Sequence, residues 1–187
     1  MKTIYFDFFG VIATPVYAKV IKAFIPVEEH EAWMKKLDLL DVGTLTETSL
    51  VKRIAERAQT SEKAIWEAVK SAPQVNQPLL RFIKDQLKGR FTVGLLTNIP
   101  KSLLESIIPQ ELSLFDIALI SSELKLVKPD PKIFEVAIER AHCLKSEIVF
   151  IDDGEKNVAV ANSLGIQGIV YKDFTSFLIA IEPHLAF

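Results

Sequence analysis

The stretch Ile4-Tyr5-Phe6-Asp7-Phe8-Phe9-Gly10-Val11-Ile12 places a single carboxylate inside an apolar run. A short apolar run rich in β-forming residues predicts a strand buried on both faces, and Gly10 then opens the turn at its end. An ionised carboxylate is costly to bury without partners. In open α/β sheets, ligands bind just beyond the carboxyl ends of the strands. Asp7 is therefore either a cap of the following turn or part of a binding site.

The composition is that of an ordinary globular protein. The chain has 187 residues, of which 49% are hydrophobic and 25% are charged, which predicts one core with room for a small insertion. The net charge of −2 gives no reason to expect nucleic acid or an anionic membrane as a partner. No run approaches the roughly 18 apolar residues of a membrane span. We expect a cytoplasmic protein, and no pattern indicates its oligomeric state.

Residues 14–76 have the sequence pattern of a helical insertion. Apolar residues recur there at helical spacing, and start signals such as Thr46 and Ser61 precede the runs. The predicted helices are Val16–Phe24, Val27–Leu40, Thr46–Ala58 and Thr60–Ala72. Because this segment follows the end of the first strand, we expect it to overhang the ligand crevice and act as a lid.

From residue 77 onward, apolar strands alternate with amphipathic helices. Four further strands are predicted at Phe91–Leu96, Phe115–Ile120, Glu147–Ile151 and Gly168–Tyr171. The predicted helices are Pro78–Lys88, Lys101–Ile108, Pro131–Ala141, Glu155–Leu164 and Phe174–Ile181. Such alternation predicts an α/β fold, a doubly wound parallel sheet with helices on both faces. The predicted core comprises residues 1–13 and 77–187, with the insertion as a small helical cap.

Polar side chains stand where the predicted strands end. They are Asp7, Thr97-Asn98, Lys128 in the loop after the third strand, and Asp152-Asp153. Paired carboxylates are suited to a hard cation such as Mg²⁺, and a lysine beside helix starts is suited to a phosphate. A metal, a phosphate site and a free carboxylate together indicate phosphoryl transfer through an aspartyl-phosphate. The substrate predicted from this set is a small phosphorylated molecule.

These motifs resemble those of the haloacid dehalogenase superfamily. Ile4–Val11 is similar to the first motif of the superfamily, Leu95–Asn98 to the second, Lys128–Phe134 to the third and Phe150–Asn157 to the fourth. The run Leu40–Thr46 resembles the linker inside the small helical cap of such proteins. The resemblance implies a Rossmann-like core with a cap and, for most members with a cap at this position, Mg²⁺-dependent phosphatase activity.

The resemblance also implies a nucleophile and a metal site. Asp7 would be the nucleophile and a metal ligand. The backbone carbonyl of Phe9 would bind the same ion, since a carbonyl does not depend on the side chain beside it. Asp153 would bind the ion directly.

Five further residues would hold the phosphoryl group or support the site. Thr97 would donate a hydrogen bond to the phosphoryl oxygens, and the amide of Asn98 would assist. Lys128 would neutralise charge on the nucleophile and the phosphate. Asp152 and Asn157 would support the site through Lys128 or through water on the metal.

The sequence departs from the family pattern at Phe9. Most phosphatases of the superfamily carry a second Asp at this position, which protonates the leaving oxygen and later activates water. Phe9 cannot move a proton, and general acid–base help is typically worth about 10²–10⁴-fold.

Three hypotheses follow from this departure. The first is a phosphatase for substrates with a good leaving group, such as an anomeric sugar phosphate or an acyl phosphate. The second is a 2-haloacid dehalogenase that uses Asp7 without metal, although the Asp152-Asp153 pair argues against it. The third is a catalytically weak or non-catalytic phosphate-binding protein.

Overall fold

The computed structural model describes residues 2–41 and 44–185. The chain divides into two compact units: Met1–Ala13 with Val75–Phe187, called here the core unit, and Thr14–Gln74, called the helical unit. The chain therefore leaves the core unit shortly after the strand that precedes Asp7 and returns to it at Val75.

The core unit is built on a parallel sheet. Its five strands are β1 (Thr3–Phe6), β2 (Thr92–Thr97), β3 (Ile117–Ile120), β4 (Ile148–Asp152) and β5 (Gln167–Val170). Their order across the sheet is β3-β2-β1-β4-β5, and all four pairings are parallel. The predicted fold class is thus confirmed. The chain adds β2 and β3 on one side of β1 and then crosses to the other side for β4. Ligands bind at such a switch point in this class of fold.

The helices follow in chain order. The helical unit contains α1 (Val16–Phe24), α2 (His30–Asp41), α3 (Glu47–Arg57) and α4 (Glu62–Ser71). The core unit contains α5 (Gln77–Phe82), α6 (Lys101–Ile107), α7 (Ser121–Leu124), α8 (Pro131–Ala141), α9 (Glu155–Ser163) and α10 (Phe174–Ile181).

Helices cover both faces of the sheet because alternate strand residues point to opposite faces. On one face, Phe6 and Ile151 pack with residues of α5, α6 and α10, such as Phe177. On the other face, Tyr5 and Phe150 pack with residues of α8 and α9. The Tyr5 hydroxyl donates a buried hydrogen bond of 2.9 Å to a carbonyl of α8, that of Ala137. Helices on both faces of the sheet therefore hold the strand ends in place.

The helical unit has its own apolar interior. Residues of α1, α3 and α4 are buried, among them Ile21, Leu50 and Ile65. Its two ends lie side by side, because the Thr14 N–H donates to the Gln74 carbonyl at 3.1 Å and the Gln74 N–H donates to Thr14 Oγ1 at 3.0 Å. The first and last residues of the unit are therefore adjacent in space.

Some predicted elements differ from the observed ones in detail. The predicted helix over Pro78–Lys88 continues past α5 as a π-helical turn, Ile83–Leu87, in which the Lys88 N–H bonds to the Ile83 carbonyl. The wider turn keeps Ile83 and Leu87 fully buried. The predicted helix from Val27 begins with a 3₁₀ turn before α2.

The short helix α7, which follows β3 directly, was not predicted from the sequence. In the predicted cap linker Leu40–Thr46, Val42 and Gly43 lie outside the described residues. Among the helices of the described ranges, none has the length and hydropathy needed to cross a lipid bilayer.

Candidate active site

Asp7 is the first residue after β1, and its N–H donates to the Ile151 carbonyl of β4 at 2.8 Å. This hydrogen bond continues the β1–β4 ladder by one residue. It fixes the backbone position from which the Asp7 side chain extends. The residue is 9% exposed, so its carboxylate is almost removed from water. The side chain therefore lies at the carboxyl end of the central strand, where the sequence predicted a binding site.

Lys128 provides the cationic partner of this carboxylate. Its Nζ atom lies 2.7 Å from Asp7 Oδ1 and 2.5 Å from Asp152 Oδ2, and its side chain is 1% exposed. The same ammonium lies 5.2 Å from the ring centroid of Phe150, a distance suited to a cation–π contact. The ammonium thus bridges two carboxylates from neighbouring strands.

Asp152, the last residue of β4, is fully buried and bonded through both of its oxygens. Oδ1 accepts hydrogen bonds from the Gly154 N–H at 2.7 Å and from Asn157 Nδ2 at 2.9 Å. Oδ2 accepts from Asn157 Nδ2 at 3.1 Å in addition to its contact with Lys128. Asp152 and Asn157 therefore hold the lysine in place.

Asn98 has a role that the sequence did not reveal. Its Oδ1 accepts from the Lys128 N–H at 2.9 Å, and its Nδ2 donates to the Lys128 carbonyl at 3.0 Å. This pair of bonds grips the backbone of the residue that carries the ammonium. Asn98 was predicted to act through its own amide, and the spacing of 30 residues gave no signal for a side-chain clasp.

Thr97 ends β2 and is fully buried. Its Oγ1 accepts from the Ile99 N–H at 3.4 Å, which leaves the hydroxyl proton available for another acceptor. Phe9 lies in the loop after β1, half-buried against the core, with its ring 5.3 Å from that of Phe8. Its aromatic side chain is held by apolar neighbours.

Asp153 completes an acidic cluster. One oxygen from each of Asp7, Asp152 and Asp153 lies within 4.8 Å of the other two. Three carboxylates against one ammonium leave excess negative charge, and all the donor atoms are hard oxygens of the kind that Mg²⁺ prefers. The donor set therefore fits a divalent cation.

A glycine allows Asp153 to reach this position. Gly10 has a φ of +86°, and a Cβ atom placed on it would lie 2.1 Å from Asp153 Oδ2. The carboxylate therefore occupies the space that any side chain at position 10 would need. The turn glycine was recognised in the sequence, but its contact with Asp153 was not predicted.

The charges of the site shift one another's titration. Burial raises the pKa of Asp7 to about 7, with Asp152 adding to the rise and Lys128 opposing it. Burial and the neighbouring Asp152 also raise the pKa of Asp153. Burial alone would lower the pKa of Lys128, but the charges of Asp7 and Asp152 outweigh it and raise that pKa. The lysine stays charged, and the acids remain short of positive charge.

The fold and the site together define a class of protein. A doubly wound parallel sheet presents a buried carboxylate–ammonium–carboxylate bridge and a third acid at its carboxyl edge. The family model of haloacid dehalogenase-like hydrolases matches residues 1–165, and the chain belongs to this family of hydrolases.

Comparison with curated proteins gives distant relatives. The chain is 27% identical over 187 residues to the D-ribitol-5-phosphate phosphatase of Bacteroides thetaiotaomicron, covering 89% of this chain and 90% of that protein. It is 28% identical over 158 residues to the mouse protein Acyl-CoA dehydrogenase family member 10, covering 80% of this chain. The chain spans only 14% of the length of that mouse protein.

Solved structures show the same fold. A HAD family enzyme from Bacteroides thetaiotaomicron, crystallised with magnesium and inorganic phosphate, aligns with a TM-score of 0.75 at 23% identity. The alignment covers 95% of this chain and 98% of that one.

Proposed function

We propose that the chain is a Mg²⁺-dependent phosphatase that acts on a small phosphorylated metabolite through an aspartyl-phosphate on Asp7. The observation that carries the proposal is the bridge of Lys128 between Asp7 and Asp152 beside a third carboxylate. This arrangement combines a fixed nucleophile, a fixed cation and a cluster of oxygen ligands within one crevice.

The residues divide the chemistry between them. An Asp7 oxygen attacks phosphorus, the bond from phosphorus to the leaving oxygen breaks, and the phosphoryl group becomes bonded to Asp7. Lys128 offsets the negative charge that Asp7 and the phosphoryl group bring together. The Thr97 hydroxyl donates to a phosphoryl oxygen, and Asn98 holds the Lys128 backbone in register. Water then attacks phosphorus, which releases phosphate and regenerates Asp7.

A divalent cation would be held by Asp7, Asp153 and the backbone carbonyl of Phe9. When bound, it would screen the carboxylates from the phosphoryl oxygens. The raised pKa of Asp7 supports such a site, because burial without enough positive charge disfavours the ionised nucleophile. The predicted cap, residues 14–76, contains the helical unit Thr14–Gln74 and is proposed to select the substrate.

Phe9 points to the class of leaving group. A good leaving group departs as an anion and needs no proton, so the absence of an acid at this position matters least for anomeric sugar phosphates and acyl phosphates. The similarity to a D-ribitol-5-phosphate phosphatase supports a sugar-like carbon chain in the substrate but not the anomeric position of the phosphate, since D-ribitol 5-phosphate is a primary-alcohol phosphate.

Phosphate release by the full chain, measured in Mg²⁺ and in EDTA over a panel of phosphate esters, tests the proposal. We expect release only in Mg²⁺, with anomeric and acyl phosphates ahead of primary-alcohol phosphates. Chloride release from a 2-haloacid in EDTA would instead support a metal-independent dehalogenase. Phosphate binding without release from any ester would indicate a non-catalytic protein.

Exchanging Phe9 for Asp should restore proton transfer at the missing position. We expect Phe9→Asp to raise kcat on primary-alcohol phosphates by at least about 10-fold, a fraction of the 10²–10⁴-fold that general acid–base help typically contributes. Phe9→Asn is the matched control, since asparagine is polar and has nearly the same size as aspartate but transfers no proton. Equal gains in both variants would contradict the proposed role of this position.

Gly10→Ala should damage the metal site through a direct clash with Asp153. We expect kcat/KM to fall on the order of 10²-fold, as misplacement by about 1 Å can cause. Gly89→Ala is the control, because Gly89 has a similar φ of +80° but open space around its Cβ position. If both variants lose the same activity, backbone strain and not the carboxylate contact is responsible.

A further inference from the structure

We propose that Asn76 and Tyr171 are positioning residues that hold the loop after β1 against the end of β4 and so set the affinity of the acidic cluster for a divalent cation. The inference rests on the proposed function in taking the cluster of Asp7, Asp152 and Asp153 as a cation site. Neither residue belongs to the motifs that the sequence singled out.

Asn76 grips two consecutive carbonyls of the loop after β1. Its Nδ2 donates to the Val11 carbonyl at 3.0 Å, and its backbone N–H donates to the Ile12 carbonyl at 2.8 Å. Its Oδ1 accepts from the Leu79 N–H at 3.3 Å, as the N-cap of α5, which fixes the orientation of the amide. The N-cap residue of α5 therefore anchors the loop through both its side-chain amide and its backbone N–H.

Tyr171 connects the same amide to the end of β4. Asn76 Nδ2 lies 2.6 Å from the Tyr171 hydroxyl oxygen, and the Tyr171 N–H donates to the Asp152 carbonyl at 2.9 Å. The ring is 7% exposed and packs 5.9 Å from the ring of Phe177. A short hydrogen-bonded path thus runs from the backbone of Asp152 through Tyr171 and Asn76 to Val11.

Hydrogen bonds within the loop after β1 hold its residues together. The Gly10 N–H bonds to the Ala13 carbonyl at 2.8 Å, and the N–H groups of Ile12 and Ala13 bond to the Phe8 carbonyl at 2.8 and 2.9 Å. Since these bonds lie within the loop, they do not tie it to β4. The clasp of Asn76 and Tyr171 ties the loop to β4 in addition to the bond from the Asp7 N–H to the Ile151 carbonyl.

The geometry of the acidic cluster depends on the distance between the loop after β1 and the end of β4. Asp7 and Gly10 belong to one side, and Asp152 and Asp153 to the other. The Asp153 carboxylate fills the space above Gly10, so a small displacement of the loop changes that contact directly. Partners that orient the ligands of a metal typically change its affinity by about 10- to 100-fold when they are removed.

The test is the dissociation constant of the full chain for Mg²⁺ and Mn²⁺, measured by calorimetry on two variants. We expect Asn76→Ala, which removes the side-chain bonds to Val11 and Tyr171 but keeps the backbone bond to Ile12, to weaken binding by roughly 10- to 100-fold. Tyr171→Phe removes one hydroxyl and should weaken binding by about 3- to 10-fold, the worth of one hydrogen bond. If Asn76→Ala does not fold, Tyr171→Phe still decides the question.

Tyr5→Phe is the matched control, because it removes a buried tyrosine hydroxyl bonded to a carbonyl of α8 in the same unit. All three variants should lower Tm, but only those at Asn76 and Tyr171 should weaken metal binding. Unchanged metal affinity in Tyr171→Phe and Asn76→Ala, or an equal loss in Tyr5→Phe, would overturn the inference.

A second readout separates this inference from the proposed function. In metal-free protein, the amide hydrogens of Gly10, Ile12 and Ala13 should keep their protection, while that of Tyr171 should exchange about 3- to 10-fold faster in Asn76→Ala. If the wild-type protein binds no divalent cation, the proposed cation site fails and the claim about affinity falls with it. Faster exchange at Tyr171 would then still support the clasp as a link between the loop after β1 and the end of β4, and unchanged exchange would overturn it.

Discussion

Asp7→Asn is expected to abolish turnover while leaving the protein folded. The amide keeps the size of the carboxylate but is no nucleophile, so no phosphoryl group can be transferred to it. We expect kcat to fall on the order of 10⁴-fold or more, in line with the loss of the nucleophile in other covalent enzymes. Steady-state phosphate release in Mg²⁺ measures the effect.

The stability of Asp7→Asn should change in a pH-dependent way. Because burial raises the pKa of Asp7 to about 7, the metal-free wild-type protein loses stability as pH rises from the unfolded value of roughly 4 to 7. The amide in the variant does not ionise, so the variant does not lose this stability as pH rises. We therefore expect the free energy of unfolding of the variant, measured with urea in EDTA, to rise relative to that of the wild type between pH 5 and pH 8.

Asp116→Asn is the control for this substitution. Asp116 lies at the amino ends of β2 and β3, bonded to Lys88 Nζ at 2.5 Å and to the Val93 N–H at 3.0 Å. Its loss should leave turnover unchanged, since the amino ends of the strands lie opposite the site. An Asp7→Asn protein as active as the wild type would rule out Asp7 as the nucleophile.

Lys128→Met should cost both stability and activity. The methionine fills the volume of the lysine stem but leaves Asp7 and Asp152 buried without their shared cation. Removing one partner of a buried pair typically costs about 3–5 kcal/mol. Transition-state stabilisation by a fixed charge is also lost, which we expect to lower kcat by roughly 10²–10³-fold.

The cation dependence of this loss gives a sharper test. Mg²⁺ bound by the same carboxylates would replace part of the missing positive charge, so the free energy of unfolding should fall less in Mg²⁺ than in EDTA. Lys88→Met is the control, because Lys88 pairs with the partly exposed Asp116, and such surface pairs contribute about 0–1 kcal/mol. A Lys128→Met variant with wild-type stability in EDTA would contradict the importance of the bridge.

The presence of Phe9 in place of an acid determines which leaving groups the proposed reaction can accommodate. The proposed site combines Asp7 as the nucleophile with Lys128 and the acidic cluster, and Phe9 stands where an acid would transfer a proton. We therefore expect it to prefer substrates whose leaving group needs no proton. The same geometry is compatible with slow hydrolysis of the aspartyl-phosphate, since water at phosphorus must also lose a proton.

Much of the fold could be predicted from the sequence because its signals are local. Buried parallel strands appear as short apolar runs, and amphipathic helices appear at a period of 3.6 residues, so the alternation from residue 77 onward already specified the sheet. The carboxyl ends of parallel strands share one edge. Asp7, Thr97, Lys128 and Asp152 could therefore be assigned to one crevice without knowledge of their distances.

Tertiary structure alone decided how those residues act on one another. The bridge through Lys128, the clasp of Asn98 on its backbone and the contact of Asp153 with Gly10 join positions that lie 24 to 143 residues apart. Asn76 and Tyr171 lie 95 residues apart and carry no motif. Local patterns report burial and periodicity, whereas hydrogen bonds and ion pairs depend on ångström distances that exist only once the sheet has brought its strand ends together.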